Sequence, residues 1–91
     1  MINKVEKIAN DALRIILQKN NLTKIKITNN LNIHKNLDSL AIVNLILETE
    51  QLLENSFDKY EPLSDNLTFD LKKSPLLKFS SWVKYIEKKY K

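Results

Sequence analysis

The chain has 91 residues, 15 Lys and Arg against 11 Asp and Glu, and a formal charge of +4, with neither Gly nor Cys. That length suits one domain, here residues 1–91, and leaves no room for a second core. The absence of Cys excludes disulfides and iron–sulfur clusters, a lone His leaves too few ligands for a structural zinc site, and the absence of Gly excludes a phosphate-binding loop.

The first predicted element is a helix from about Asn3 to Gln18. Val5, Ile8, Ala9, Ala12, Leu13, Ile15 and Ile16 recur at spacings of three and four, which gathers them on one face. Asn3 suits the cap, with Glu6 as the acid of a capping box. A long connection from Asn20 to Leu37 follows, rich in loop-favouring Asn pairs. Lys24 to Thr28 alternates like a strand, yet no second strand is there to pair with it. The segment reads as extended loop, with Ile25 and Ile27 dipping into the core.

A second helix is predicted from Ser39 to Glu54, with Asp38 as its cap. Ile42, Leu45, Ile46, Thr49, Leu52 and Leu53 form its core stripe. Leu40, Val43 and Leu47 add an apolar strip that a one-sided helix in a small domain does not need. A short helical turn near 65–70 and a last helix opening at Ser74-Pro75 complete the pattern. In that last helix Phe79, Trp82, Val83, Ile86 and Tyr90 form the apolar face. The expected fold is all-α: three main helices, one short helix and a long first loop.

The charge is unevenly spread. Residues 1–35 carry seven bases and two acids, residues 36–70 one base and eight acids, and residues 71–91 seven bases and one acid. An acidic centre inside a basic frame, with a single Arg, argues against a nucleic-acid partner, which selects a continuous basic stripe. The apolar run Ile15–Leu17 is too short for a signal-peptide core or a transmembrane segment, so a cytoplasmic location is expected. The sequons at Asn21 and Asn66 are then chance matches.

Enzyme constellations are weak. His34, Asp38 and Ser39 are triad residue types, but they lie within six positions and lack an oxyanion hole. His34 reads as a solvated loop residue. Glu50 and Glu54, one turn apart, read as solvated charge on an exposed face.

One string stands apart: Leu37-Asp38-Ser39-Leu40 at the mouth of the central helix. With the following residues it reads NLDSLAIVNLILETEQLL, and this stretch, Asn36 to Leu53, resembles the acyl carrier protein family, which includes peptidyl carriers. The element order and the Ser-Pro before the last helix resemble it too, so the likeness covers most of the chain. It implies an acyl-carrier-protein-like four-helix bundle and a carrier rather than an enzyme, with no metal. It implies that Ser39 bears 4′-phosphopantetheine donated by coenzyme A, flanked by Asp38 and Leu40. The group's thiol would hold an acyl or aminoacyl thioester for fatty acid, polyketide or nonribosomal peptide synthesis. The implied partners are a phosphopantetheinyl transferase and an acyl-activating ligase, synthase or acyltransferase, meeting a monomeric carrier. They would dock on Leu40, Val43, Asn44, Leu47, Glu48, Glu50 and Glu54, and Leu45, Ile46, Phe69 and Ile86 would line an acyl chain.

The chain departs from the family in two places. Asn36-Leu37 stands where a Gly is common, so Asn would supply left-handed geometry. Ala41 and Asn44 stand where acids are common, which favours a specialised pathway with a dedicated activating enzyme. The rival expectations are a helical protein-interaction domain without a prosthetic group and a nucleic-acid or anionic-surface binder using the Lys-rich first and last helices, against which the absence of Arg clusters argues.

Overall fold

The structure, a computed structural model, describes residues 4–63 and 72–90. Among the described residues there are four α-helices, one 3-10 turn and no strand. The fold is thus a small all-α bundle.

Helix α1, Lys4–Lys19, buries Val5, Ile8, Ala9, Ala12, Leu13, Ile16 and Leu17. Ile15, expected in that stripe, is only half-buried at its edge. Glu6 in the first turn and Lys19 in the last complement the helix dipole. The helix ends on Asn21, whose φ of 60° is left-handed. The Leu22 N–H donates to the Leu17 carbonyl at 2.8 Å and the Asn21 N–H to the Gln18 carbonyl at 3.2 Å. This is a Schellman closure with Asn in the place usually held by Gly. Asn21→Ala should lower stability by about 1 kcal/mol, because alanine lacks the local polar compensation that lets Asn sit there. A shift of the urea midpoint at constant slope would show it.

The loop after α1 stays extended, and Leu22, Ile25, Ile27 and Leu31 pack half-buried against the core. It ends in a short helix absent from the sequence-based expectation, α2, Ile33–Asn36. The Asn32 side chain caps α2 by accepting the Lys35 N–H at 3.0 Å, and Ile33 and Leu37 anchor its two ends in the core. His34 therefore lies on a helix and is half-buried, not in a solvated loop.

Helix α3, Ser39–Phe57, runs one turn beyond the expected end at Glu54. Its extra turn is held from outside. Phe57 packs on Tyr90 with ring centroids 5.3 Å apart, while the Lys4 ammonium lies 4.6 Å over the Phe57 ring and donates to the Ser56 carbonyl at 2.9 Å. Asp58, at φ 55°, stops the helix.

Ser74-Pro75 does not open the last helix. Ser74 accepts the Leu76 N–H at 3.0 Å and starts a 3-10 turn, Pro75–Leu77. Lys78 is extended, and α4 follows as Phe79–Lys89. Lys78 offers no side-chain cap; instead the Leu31 and Asn29 carbonyls accept the Phe79 and Ser80 N–H groups at 2.9 and 3.0 Å. The long first loop thus caps the last helix. Helix α1 packs against both α3 and α4. Trp82, with no exposed surface, lies in the common core, and its indole nitrogen has no hydrogen-bond partner. The helical turn expected at 65–70, Asn3 and Phe69 lie outside the described residues.

Candidate functional site

Ser39 is the first residue of α3 and is exposed. Leu37 before it is buried and Ala41 after it is buried, so the Asp38-Ser39-Leu40 trio projects between two anchored residues. The Asp38 carboxylate accepts the Ala41 N–H at 2.8 Å, which caps the helix and leaves the Ser39 hydroxyl out of the cap. The N–H groups of Ser39 and Leu40 find no acceptor among the described residues. The approach to the site is regular backbone. Leu37 is extended at φ −126°, and the left-handed residues among those described are Asn21 and Asp58, so no left-handed Asn36 is needed at this loop.

Leu40, Val43 and Leu47 continue from Ser39 along one face of α3 and are 70, 38 and 57 % exposed. With Tyr60 they are the exposed large hydrophobics among the described residues. Asn44 and Glu54 are also exposed, and Glu48 is half-buried. The face from Ser39 to Leu47 carries no charged side chain.

Glu50 does not belong to that face. Only 7 % of it is exposed. Its carboxylate turns inward and accepts the Leu63 N–H at 2.7 Å and, at 3.5 Å, the Tyr60 hydroxyl. The Tyr85 hydroxyl donates to the Leu63 carbonyl at 2.9 Å, and the Glu61 N–H donates to the Tyr90 hydroxyl at 3.2 Å. So α3 and α4 grip both backbone groups of the buried Leu63. Sequence reasoning missed this role because the acceptor of a distant backbone N–H leaves no periodic mark. The one available signal was a Glu four positions after Ile46 and three before Leu53, on the core stripe.

Leu45, Ile46 and Ile86, expected around an acyl chain, lie in the packed core. Of the three triad residue types, His34 lies on α2, and Asp38 at the mouth of α3 is committed to the helix cap. No group of three or more metal-ligating side chains occurs among the described residues, and no described helix is long and apolar enough to cross a membrane. No family model, curated protein or solved structure matches the chain.

Proposed function

We propose that the protein is an acyl-carrier-protein-like carrier, modified on Ser39 with 4′-phosphopantetheine. The observation that carries this reading is an exposed Ser at the first position of a long, well-capped helix, continuous with an exposed apolar strip. A phosphodiester on the Ser39 oxygen would be an anion at a helix N-terminus, where the dipole and the N–H groups of Ser39 and Leu40 favour it. The residues present therefore fit the group. Its thiol, when bound, holds an acyl or aminoacyl group as a thioester.

The chain's own residues do the rest. Asp38 keeps the helix start ordered while the Ser39 hydroxyl stays accessible to a phosphopantetheinyl transferase. Leu40, Val43 and Leu47 offer partner enzymes an apolar contact, and Asn44 lies on the same uncharged face. Glu48 and Glu54 add negative charge farther along α3, which steers encounter with basic surfaces. Tethering raises the effective concentration of cargo at each partner's site without any catalysis by the carrier. The same apolar strip suits an interaction domain without a prosthetic group, so the deciding measurement is covalent.

Incubation with a broad-specificity phosphopantetheinyl transferase and coenzyme A should add one phosphopantetheine, located at Ser39 by fragmentation of the intact protein. No mass gain, under conditions that fully convert a control carrier, overturns the reading.

A further inference from the structure

A cavity of about 360 Å³ lies between the C-terminal half of α1 and the loop that follows it. Its lining is two-sided. Leu17 is buried, and Leu22, Ile25 and Ile27 are half-buried against the core, so they form an apolar floor. Arg14 and Lys26 are exposed and line the same cavity, which places them at its mouth. Gln18 and Thr23, also exposed, supply uncharged hydrogen-bonding groups there. No acid lines this cavity. Arg14 donates to the Asn10 side chain at 3.3 Å, a long bond that leaves most of its five donors unused. Neither Arg14 nor Lys26 has a carboxylate partner among the described residues.

We propose that this cavity binds, noncovalently, a small amphipathic carboxylate: a short acyl chain on the apolar floor and its carboxylate between Arg14 and Lys26. The volume falls at the low end of the range for small-molecule sites, about 300–1,000 Å³, which suits a short chain and not a long one. A neighbouring cavity of about 380 Å³ shares Arg14 and Gln18 and is lined by Ile15 and Leu52. Its acid, Asp11, faces Lys7 at 3.8 Å.

The C-terminus of α1 lies beside the cavity, and its partial negative charge opposes an anion. That charge is about half an elementary unit, and the Schellman bonds already occupy the Leu17 and Gln18 carbonyls. Two full positive charges at the mouth outweigh it. The floor is also preformed, since Leu17 and Leu22 are the pair that the Schellman closure brings together. Ordering cost on binding is therefore low. The site lies on α1 and its loop, uses no part of the α3 face, and stands or falls independently of the carrier reading.

The test is a titration of the full chain, unmodified and isotope-labelled, with octanoate below its micelle concentration, followed by backbone amide shifts. Saturable shifts should cluster at residues 14–27. Octanol, with the same chain and no charge, should bind at least tenfold more weakly, and acetate should produce no saturable shift. Arg14→Gln and Lys26→Gln should each weaken octanoate about tenfold, as expected for losing one partly exposed charge-assisted contact. Both variants should melt like the parent, because both side chains are exposed. Ser39→Ala should bind octanoate unchanged. Absent shifts at 14–27, equal binding of octanol, or unchanged affinity in both charge variants overturns the proposal.

Discussion

Ser39→Ala is expected to abolish phosphopantetheine transfer completely while leaving the unfolding free energy within about 0.5 kcal/mol of the parent. Both halves of that result follow from the same geometry. The transferred group needs the Ser39 oxygen, and no neighbouring hydroxyl stands at the helix start. The fold does not need it, because the cap is the Asp38 carboxylate at 2.8 Å from the Ala41 nitrogen. Asp38→Ala reverses the pattern. It retains the hydroxyl but costs about 1 kcal/mol of cap, and it frays the backbone that presents Ser39. Intact-mass measurements beside urea titrations separate the two variants. A protein-interaction domain gives a different signature: no transfer to the parent, and binding lost in Leu40→Asp or Leu47→Asp but retained in Ser39→Ala.

Glu50→Ala should be among the most destabilising single changes on α3, at about 2–3 kcal/mol. The substitution removes the carboxylate that accepts the buried Leu63 N–H at 2.7 Å, and a hydrogen bond to a charged group contributes about 1.5–3 kcal/mol. It also empties the volume the side chain fills. Glu50→Gln keeps an oxygen for Leu63 and should cost about 1 kcal/mol. Tyr85→Phe, which removes the donor to the Leu63 carbonyl at 2.9 Å, should cost a similar amount. The single Trp supplies the readout, because Trp82 is fully buried and its ring stacks on Tyr85 with centroids 5.7 Å apart. If Glu50→Ala unfolds at the parental midpoint, the grip on Leu63 contributes nothing.

The same carboxylate acts on Tyr60. Its charge is the main cause that holds the Tyr60 hydroxyl above the ordinary phenol value, with desolvation and the hydrogen bond to Glu50 adding to it. A raised value means that the folded state keeps the proton longer than the unfolded chain does. The associated stability is therefore present below about pH 10 and is lost as pH rises through the raised value. In Glu50→Gln the Tyr60 titration, followed by ring carbon shifts, should move back down toward the ordinary value.

The α1 stripe was legible because seven apolar residues at helical spacing admit only one face. Six of them are buried as expected. The start of α3 was legible for a different reason: Asp38 caps through a bond three residues away, so a short sequence window contains both partners. The exposed strip was legible as a surplus, since Leu40, Val43 and Leu47 exceed what one core face can absorb. Glu50 was misplaced by the same reasoning. Period alone leaves it between the core stripe of Ile46 and Leu53 and the outer face of Leu47 and Glu54, and burial of a carboxylate depends on a donor thirteen residues later.

Helix ends divide along the same line. Asn21 and the Asp38 cap act within a few residues, so local chemistry specifies them. The last turn of α3 and the first turn of α4 do not. Phe57 is held by Tyr90 and Lys4, and α4 is capped by carbonyls of a loop nearly fifty residues earlier. Spacing, caps and surplus apolar residues are properties of the chain within one or two turns. Which polar group is buried, where a helix stops under outside support, and which cations share a cavity depend on segments brought together only by folding. Arg14 and Lys26 show the difference: each is an ordinary surface charge in the sequence, and the Schellman closure at Asn21 folds them onto one apolar floor.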